Sequence, residues 1–478
     1  MILPPGVSAV PGKPPYPTTE LPISTGGISG TPSAQTAGVS FNITVRAVDK
    51  WWNKTSAQPI VTLESNDPWD YPEQKQVQLS NGEYTLSWTL VTRSDVGWYI
   101  RTRDSVSPTL VNYRTANIRV NPNTATSLKI YLPGEIPEWG ETSAHPSATV
   151  PYGISGTPAN WTAGVANTVV VNTVDDWNNR NDTDASPVKL TPTDPFVSAQ
   201  TYGLVNGSAT YTFTLVTAGT HTFVAEDQEA PLLNTYRSSV FSVDVSTWGK
   251  QLHITLPGET YVPGMPPYDV DEQNGIGGSG GKSGEPLVQT AGVPFTITVR
   301  AVDSFYNLLT DEVSLVRIVA SISAYAPDIG QPYEGYVVEP EEASLVGGVS
   351  TFTVTLLTAH STWTIEALDV DANPDLAKGR ARVYVKPNNP TKLQVIVPNE
   401  IENPGSSFGR IGSIRAQTAG VGFTVKVNLC DDYWNRVKEG SMPLVSIWTS
   451  DPYDTHPTAL TLVNGQRLFS VTLVTASS

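Results

Sequence analysis

Between residues 289 and 307 the chain reads QTAGVPFTITVRAVDSFYN, and apolar side chains take every second place at Phe295, Ile297, Val299 and Ala301. A period of two built from aromatic and β-branched residues predicts a strand with one face on a core and the other toward water. The same register returns at Phe41, Ile43, Val45 and Ala47, and again at Phe423, Val425, Val427 and Leu429. A further copy, WTAGVANTVVVNTVDDWNN from Trp161, has Asn167 where the others carry Phe, which predicts a looser or wetter strand end there. Each copy opens with Thr-Ala-Gly, at Thr36, Thr162, Thr290 and Thr418, so the offsets are 126, 128 and 128 residues. A period of that length is a whole domain able to bury its own core, unlike the roughly 20 to 50 residue unit of a solenoid.

The rest of each copy continues the pattern. In the first, strand-like runs fall near 60–65, 76–79, 83–91, 97–103, 113–120 and 127–132, and Asn81-Gly82 supplies a hairpin turn. Asn206-Gly207, Gly347-Gly348 and Asn464-Gly465 hold the same place in the others. About seven short strands per copy, with almost no helical period, predict an all-β protein of antiparallel sandwiches. Cys430 is the one cysteine, so no disulfide pins them.

Composition narrows the function. With 29 basic and 45 acidic residues the formal charge is −16, which argues against a nucleic-acid partner, since phosphate neutralisation needs clustered Lys and Arg. Only 15% of residues are charged, whereas Gly and Pro number 38 and 39. Such a balance in repeated sandwiches points to an exported polar protein, extracellular or at a cell surface, rather than a cytosolic enzyme. No apolar run reaches the roughly 18 residues of a membrane span, and Met1 is followed by no signal-peptide pattern. ILPPG at residues 2–6 resembles YLPGE at 131–135, and VTLVTASS at the other end stops where the second copy continues; both predict a piece of a longer array.

The succession A-G-x-x-F-x-V-x-V-x-A-x-D-x-x-x-N, a Ser-Asp-Pro type turn (SNDPWD, TSDPYD) and LVNGSATYTFTLVTAGTHTF resembles the bacterial immunoglobulin-like tandem repeats of invasin-like and other prokaryotic surface or secreted proteins. The resemblance implies tandem immunoglobulin-like antiparallel β-sandwich domains at 1–120 (first strand mostly missing), 121–247, 248–387 and 388–478 (incomplete at its end). It makes SLKIYLPGE a first strand, 121–125 a joint, and the Pro- and Gly-rich tracts 133–160 and 257–288 excursions between first and second strands. Read from the residues alone, those tracts look like linkers. The implied function is an extracellular structural or adhesive protein, a rod or fibre, with a surface filament subunit as its most specific form. The alternative is a non-catalytic carbohydrate-binding or spacer region of a larger secreted enzyme. Partners would be other copies of itself, neighbouring surface proteins, or glycans. Four such domains would span roughly 120 to 160 Å.

Candidate chemistry is sparse. GIGGSG at 275–280 and GGSGGKS at 277–283 approach nucleotide-binding loops, but Ile276 stands where the phosphate loop needs its first glycine, and no helix pattern follows. His145, His221, His253, His360 and His456 form no metal-ligand spacing, and Cys430 occupies a strand slot held by Val48 and Val302 elsewhere. No catalytic residue and no cofactor is expected. The best-repeated polar residues are Asp49 with Asn53, Asp175 with Asn179, Asp303 with Asn307, and Asp431 with Asn435. Turn chemistry predicts Asp accepting loop amides and Asn taking a left-handed conformation. A calcium site is the alternative, nearest to realisation in DDWNNRNDTD through Asp175, Asp176, Asp182 and Asp184. Between Asp and Asn lie Trp51 and Trp52, Trp177, Phe305 and Tyr306, Tyr433 and Trp434. These aromatics are either a lid packed on the proline-rich tract, a docking surface for a neighbouring domain, or a stacking platform for glycan rings. Sequons at Asn42, Asn53, Asn160, Asn181 and Asn206 are about as many as chance gives and carry no signal.

Overall fold

The computed structural model describes residues 1–17, 25–72, 74–104, 110–268, 280–322, 335–371 and 375–476. Among these every regular element is a strand. Of the two nucleotide-loop look-alikes, residues 275–279, Ile276 included, lie outside the described residues, but Lys282–Gly284 is a strand paired with Glu259–Tyr261. Lys282 Nζ sits 3.0 Å from Glu259 and 3.3 Å from Ile254 O.

The second repeat shows the plan. One sheet joins Ser127–Tyr131, Ala166–Val174 and Ser208–Thr214 antiparallel. The facing layer runs Gln200–Gly203, Pro187–Pro192, Phe223–Asp227 and Tyr236–Arg237, and continues where Phe241–Asp244 pairs with Gly219–His221. Trp161–Thr162 adds to Phe241–Asp244 in parallel. A short strand that crosses to pair in parallel with the last strand, over a two-sheet Greek key, is the immunoglobulin arrangement. Period-two alternation fills the space between sheets: Leu128, Ile130, Val169, Val171, Tyr211, Phe213, Leu190 and Phe223 are buried. Trp161, standing where the other repeats have Gln, is buried against Phe223 and Phe241, with centroids 5.8 and 4.8 Å away. Asn167 is half-buried and donates to Val165 O.

The first repeat follows the same order, and the third does so with Tyr336–Glu339 added antiparallel to Val349–Leu356 as a fourth strand of its first sheet. Their parallel additions are Gln35–Thr36 on Ile118–Asn121 and Gln289–Thr290 on Gly379–Lys386. The first strand of repeat one is Ile2–Leu3, two residues against five in Gln251–Thr255. A cavity of about 250 Å³ lies beside it, lined by Val45, Ala47, Trp52, Val61, Leu79 and Tyr113 among others. In the fourth repeat Lys392–Ile396, Phe423–Cys430 and Gln466–Val471 form one sheet, and Leu444–Val445 pairs with Leu460–Thr461. Cys430 is buried there, and burial pushes its thiol up to about 12. The hairpin turns have positive φ at both central residues, for example 52° and 68° at Asn206-Gly207, the type I′ geometry that favours this pair. The chain divides into two compact units, Met1–Leu215 with Gly219–Asp244, and Val216–Ala218 with Val245–Ser478.

Between first and second strands each repeat inserts a small ribbon: Val7–Ala9 with Ile28–Gly30, Glu135–Pro137 with Ile154–Gly156, Glu259–Tyr261 with Lys282–Gly284, and Ile401–Glu402 with Arg410–Ile411. His253 lies under the third of these, 4% exposed, its Nε2 3.2 Å from Gly280 O. Burial first, then the nearby Lys282 cation, pushes its pKa down to about 3 from an ordinary 6.5. The unfolded chain therefore takes up a proton near pH 6.5 that the folded chain refuses until about pH 3. Stability of this unit should fall as pH drops through that window, by up to a few kcal/mol. Urea melts between pH 4 and 7 should show this slope in the wild type and a flatter one in His253→Gln.

Candidate functional site

The repeated Asp and Asn meet where each aromatic turn closes. Asp175 Oδ1 accepts from Trp177 N and Asn179 N, both at 2.9 Å, and Oδ2 accepts from Asn179 Nδ2 at 3.1 Å. This is the Asx-type capping expected of an Asp at a strand end. The left-handed residue, however, is not the Asn of the pair. Positive φ falls one place earlier, on Trp52 (71°), Asn178 (55°), Tyr306 (62°) and Trp434 (66°). A bulky residue there costs about 1 to 2 kcal/mol, and the packing of its ring offsets the cost. Trp52 and Tyr306 are 3% and 1% exposed. The rings lie on the ribbon, so close that a Cβ on Gly27 would come 2.4 Å from Trp52, one on Gly281 2.5 Å from Tyr306, and one on Gly409 2.2 Å from Trp434.

Within the first unit the same turn reaches back to the preceding repeat. Asn179 Nδ2 donates to Val91 O and Asn179 Oδ1 accepts from Arg93 N, each at 2.8 Å. Asp175 Oδ2 accepts from Asn123 N in the joint, also at 2.8 Å. From its other side the Val91–Arg93 turn is held by Asp67 of the Ser-Asn-Asp-Pro loop, whose Oδ2 accepts from Val91 N and Thr92 N at 2.8 and 3.0 Å. The turn is thus gripped between a carboxylate of its own repeat and a carboxamide of the next. Trp177 completes the contact, because a Cβ on Gly38 would meet its Nε1 at 1.9 Å; Gly38 N in turn donates to Leu90 O. On the ribbon, Gly140 faces Thr92 so closely that a Cβ would meet Oγ1 at 2.1 Å. Arg93 adds a 2.6 Å ion pair with Asp182, and His145 packs edge-on to Trp69 and Tyr71.

The second unit repeats the geometry. Asn435 Nδ2 donates to Leu357 O and Oδ1 accepts from Ala359 N, at 2.8 and 2.7 Å; Asp431 Oδ2 accepts from Asn388 N. Tyr433 covers Gly292, and Gly405 faces Thr358. In the same unit Asn307 bonds to Val216 O and Ala218 N, and Asp303 to Ser246 N. Phe305 is half-buried, its ring 5.0 Å from Tyr268. The two aromatic positions therefore differ: the second sits on its own ribbon, whereas Trp177 and Tyr433, at the first, sit on the Thr-Ala-Gly turn of the repeat before.

Burial of the pair sets its electrostatics. Desolvation raises the Asp175 carboxyl above its usual range, although four hydrogen bonds oppose it, and does the same to Asp67. Asp49 is not covered in this way, and the Asn53 side chain lowers its pKa.

The carboxylates named for calcium do not converge. Asp176 accepts from Thr126 Oγ1, Asp182 pairs with Arg93, and Asp184 caps Ser186 N. Among the described residues no group of three His, Cys, Asp or Glu side chains could hold a metal. His221 lies beside Thr193 Oγ1, His360 beside Thr362, and His456 beside Asp454. The ribbon glycines Gly27, Gly153, Gly281 and Gly409 were legible as G-x-x-G in each copy but carry no chemistry of their own, so motif reasoning passes over them.

No family model matches the chain. No curated protein matches it. Among solved structures, the native conformation of Escherichia coli alpha-2-macroglobulin is similar at 10% identity over 92% of this chain and 26% of that one, with a TM-score of 0.24. The Escherichia coli adhesin FdeC is similar at 15% identity over 67% and 87%, TM-score 0.24. The D0-D1 domain of intimin is similar at 14% identity over 47% and 93%, TM-score 0.16. This chain spans about a quarter of the macroglobulin's length. Scores this low carry no functional conclusion, and the fold assignment rests on the strand pairing of the chain itself.

Two outcomes follow. Asn179→Ala and Asn435→Ala each strand a buried carbonyl and a buried amide at a junction, and should cost about 2 to 4 kcal/mol. Thermal melts should then resolve transitions that overlap in the wild type. A calcium chelator should leave the melting temperature unchanged; a fall of many degrees would show a bound ion that stabilises the folded state.

Proposed function

We propose that the chain is an extracellular structural or adhesive protein in which immunoglobulin-like repeats, fixed end to end, hold a distance or bear a load as part of a rod or fibre. The proposal assigns it no catalysis. The observation that carries it is the repeated grip on one turn, Val91–Arg93 in the first repeat and Leu357–Ala359 in the third: Asn179 on Val91 and Arg93, Asn435 on Leu357 and Ala359. A linker that only tethered two domains would need none of these bonds. Here Asn179 and Asn435 are 0% and 1% exposed, which means that the joint is built as a small core rather than a hinge. The acidic, low-charge, Gly- and Pro-rich composition suits a surface environment and makes nucleic acid a poor partner.

Small-angle scattering of the whole chain tests this. Fixed junctions give a narrow distance distribution that Asn179→Ala with Asn435→Ala broadens. A wild-type distribution already as broad as that of the double variant would show free linkers and overturn the reading.

A further inference from the structure

In the third repeat the strand Gly379–Lys386 alternates strictly: Ala381, Val383 and Val385 lie in the core, whereas Arg380, Arg382, Tyr384 and Lys386 face outward. Outward neighbours on one strand stand about 7 Å apart. On the same face Arg380 is paired with Glu366, whose side chain is 4% exposed and also takes Lys378 Nζ at 3.5 Å. Farther across the sheet Arg317 is paired with Glu342. Five cations therefore share two carboxylates, in a chain that has 45 acidic residues to 29 basic ones. The surplus sits at one end of the face. Among the described residues Arg382 and Lys386 form no ion pair, and between them stands Tyr384, 46% exposed. Thr364 lies opposite Arg382 on the neighbouring strand.

The fold does not require this row. The parallel addition fixes the register between repeats, because Gln289 pairs with Val385, Trp161 with Val243 and Gln35 with Val120. In that register Arg382, Tyr384 and Lys386 stand where the second repeat has Val240, Ser242 and Asp244. The first repeat has Asn117, Arg119 and Asn121 there, and its Arg119 is paired with Asp95 at 2.7 Å. Its other outward arginines, Arg101 and Arg103, are both on Glu64. A row of cation, ring and cation with no carboxylate of its own is thus particular to the third repeat among the described residues.

We propose that Arg382, Tyr384 and Lys386 form a binding site for a polysaccharide that carries carboxylates, of the kind built with uronic acids. The inference rests on the adhesive form of the reading above and gives it a ligand class. The planar Arg382 guanidinium takes one sugar carboxylate through two parallel N–H donors. The Tyr384 ring lies against the apolar face of a sugar, and the Lys386 ammonium takes a further acidic group along the polymer. Carboxylate is the anion because the face already uses it: Arg317 and Arg380 each hold one, and Arg382 is the outward guanidinium that holds none. Double-stranded DNA fits poorly, since its charges come every 1.7 Å or so of axis, far closer than the cations of this row, and the chain as a whole is at −16. A flat sheet face leaves every contact open to solvent, so salt screens the binding and the affinity is modest.

Isothermal titration of the whole chain with polygalacturonate at low salt decides it. Polygalacturonate should bind, whereas dextran, which has sugar faces but no carboxylates, should not. Arg382→Gln with Lys386→Gln should weaken binding about ten-fold or more, and Tyr384→Ala about three-fold. All three side chains lie outside the core, so the melting curves should stay unchanged; Lys386→Gln alone, at an exposed position, should still cost about three-fold and keeps the test open if the double variant folds badly. Polyglutamate and double-stranded DNA should bind at least about ten-fold more weakly than polygalacturonate. No binding of polygalacturonate, binding indifferent to all of these substitutions, or polyglutamate or DNA bound as tightly would each overturn the site, the last by showing a plain response to charge. None of these results bears on the scattering test of the junctions, so the two readings fail separately.

Discussion

Most of what distinguishes this chain from a string of independent sandwiches depends on one buried side-chain pair, Asp175 with Asn179 and its counterparts. A carboxylate and a carboxamide placed in a protein interior would be destabilising unless every polar atom were used. Here the carboxylate takes two turn amides, the Asn side chain and the joint amide. With Nδ2 shared between the carboxylate and Val91 O, and Oδ1 on Arg93 N, the Asn is left without an idle polar atom. In the Asp175–Asn179 pair burial is thus matched by bonds to the preceding repeat, which couples the joint to the fold, whereas the Asp49–Asn53 pair keeps its internal bonds with Asn53 exposed.

That requirement explains several features around it. The turn must be narrow enough for Asp and Asn to bond, which puts the residue before the Asn into left-handed space; the side chain at that place, a ring in three repeats and Asn178 in the second, is then packed on a ribbon glycine that has no Cβ to resist it. The ribbon is consequently a second wall of the junction, and its own glycine, Gly140 or Gly405, touches the gripped turn. The Ser-Asp-Pro type loop closes the grip from the other side through Asp67 or Asp451.

Much of this was legible in the sequence, for identifiable reasons. The strand at Phe295–Val302 was plain because alternation is a local property, and the hairpins were plain because Asn-Gly at 206–207 fits little else. The importance of Asp303 and Asn307 could be read from their recurrence, but not what Asn307 holds, since its partners Val216 and Ala218 bond through backbone atoms that any residue would offer. The left-handed site was misassigned to that Asn because the general preference of Asn for such φ is outweighed here by the packing of Tyr306 on Gly281. The aromatic pairs were visible as contact surface, but their division of labour, with Trp52 turned to the ribbon and Trp177 to Gly38, depends on side-chain direction in a turn that period and propensity do not encode.

The most direct measurement is amide hydrogen exchange on the dilute chain at Arg93, Ala359 and Ala476. All three occupy the third place of the same turn, Val91–Arg93, Leu357–Ala359 and Val474–Ala476; Arg93 N and Ala359 N donate to an Asn of the next repeat, and among the described residues Ala476 N has no such acceptor. If the Asp and Asn pair is what fixes one repeat to the next, Arg93 and Ala359 should exchange as slowly as core strand amides and Ala476 at the rate of an open loop. Equal, fast exchange at all three positions would contradict the account, because it would mean that the junctions open freely.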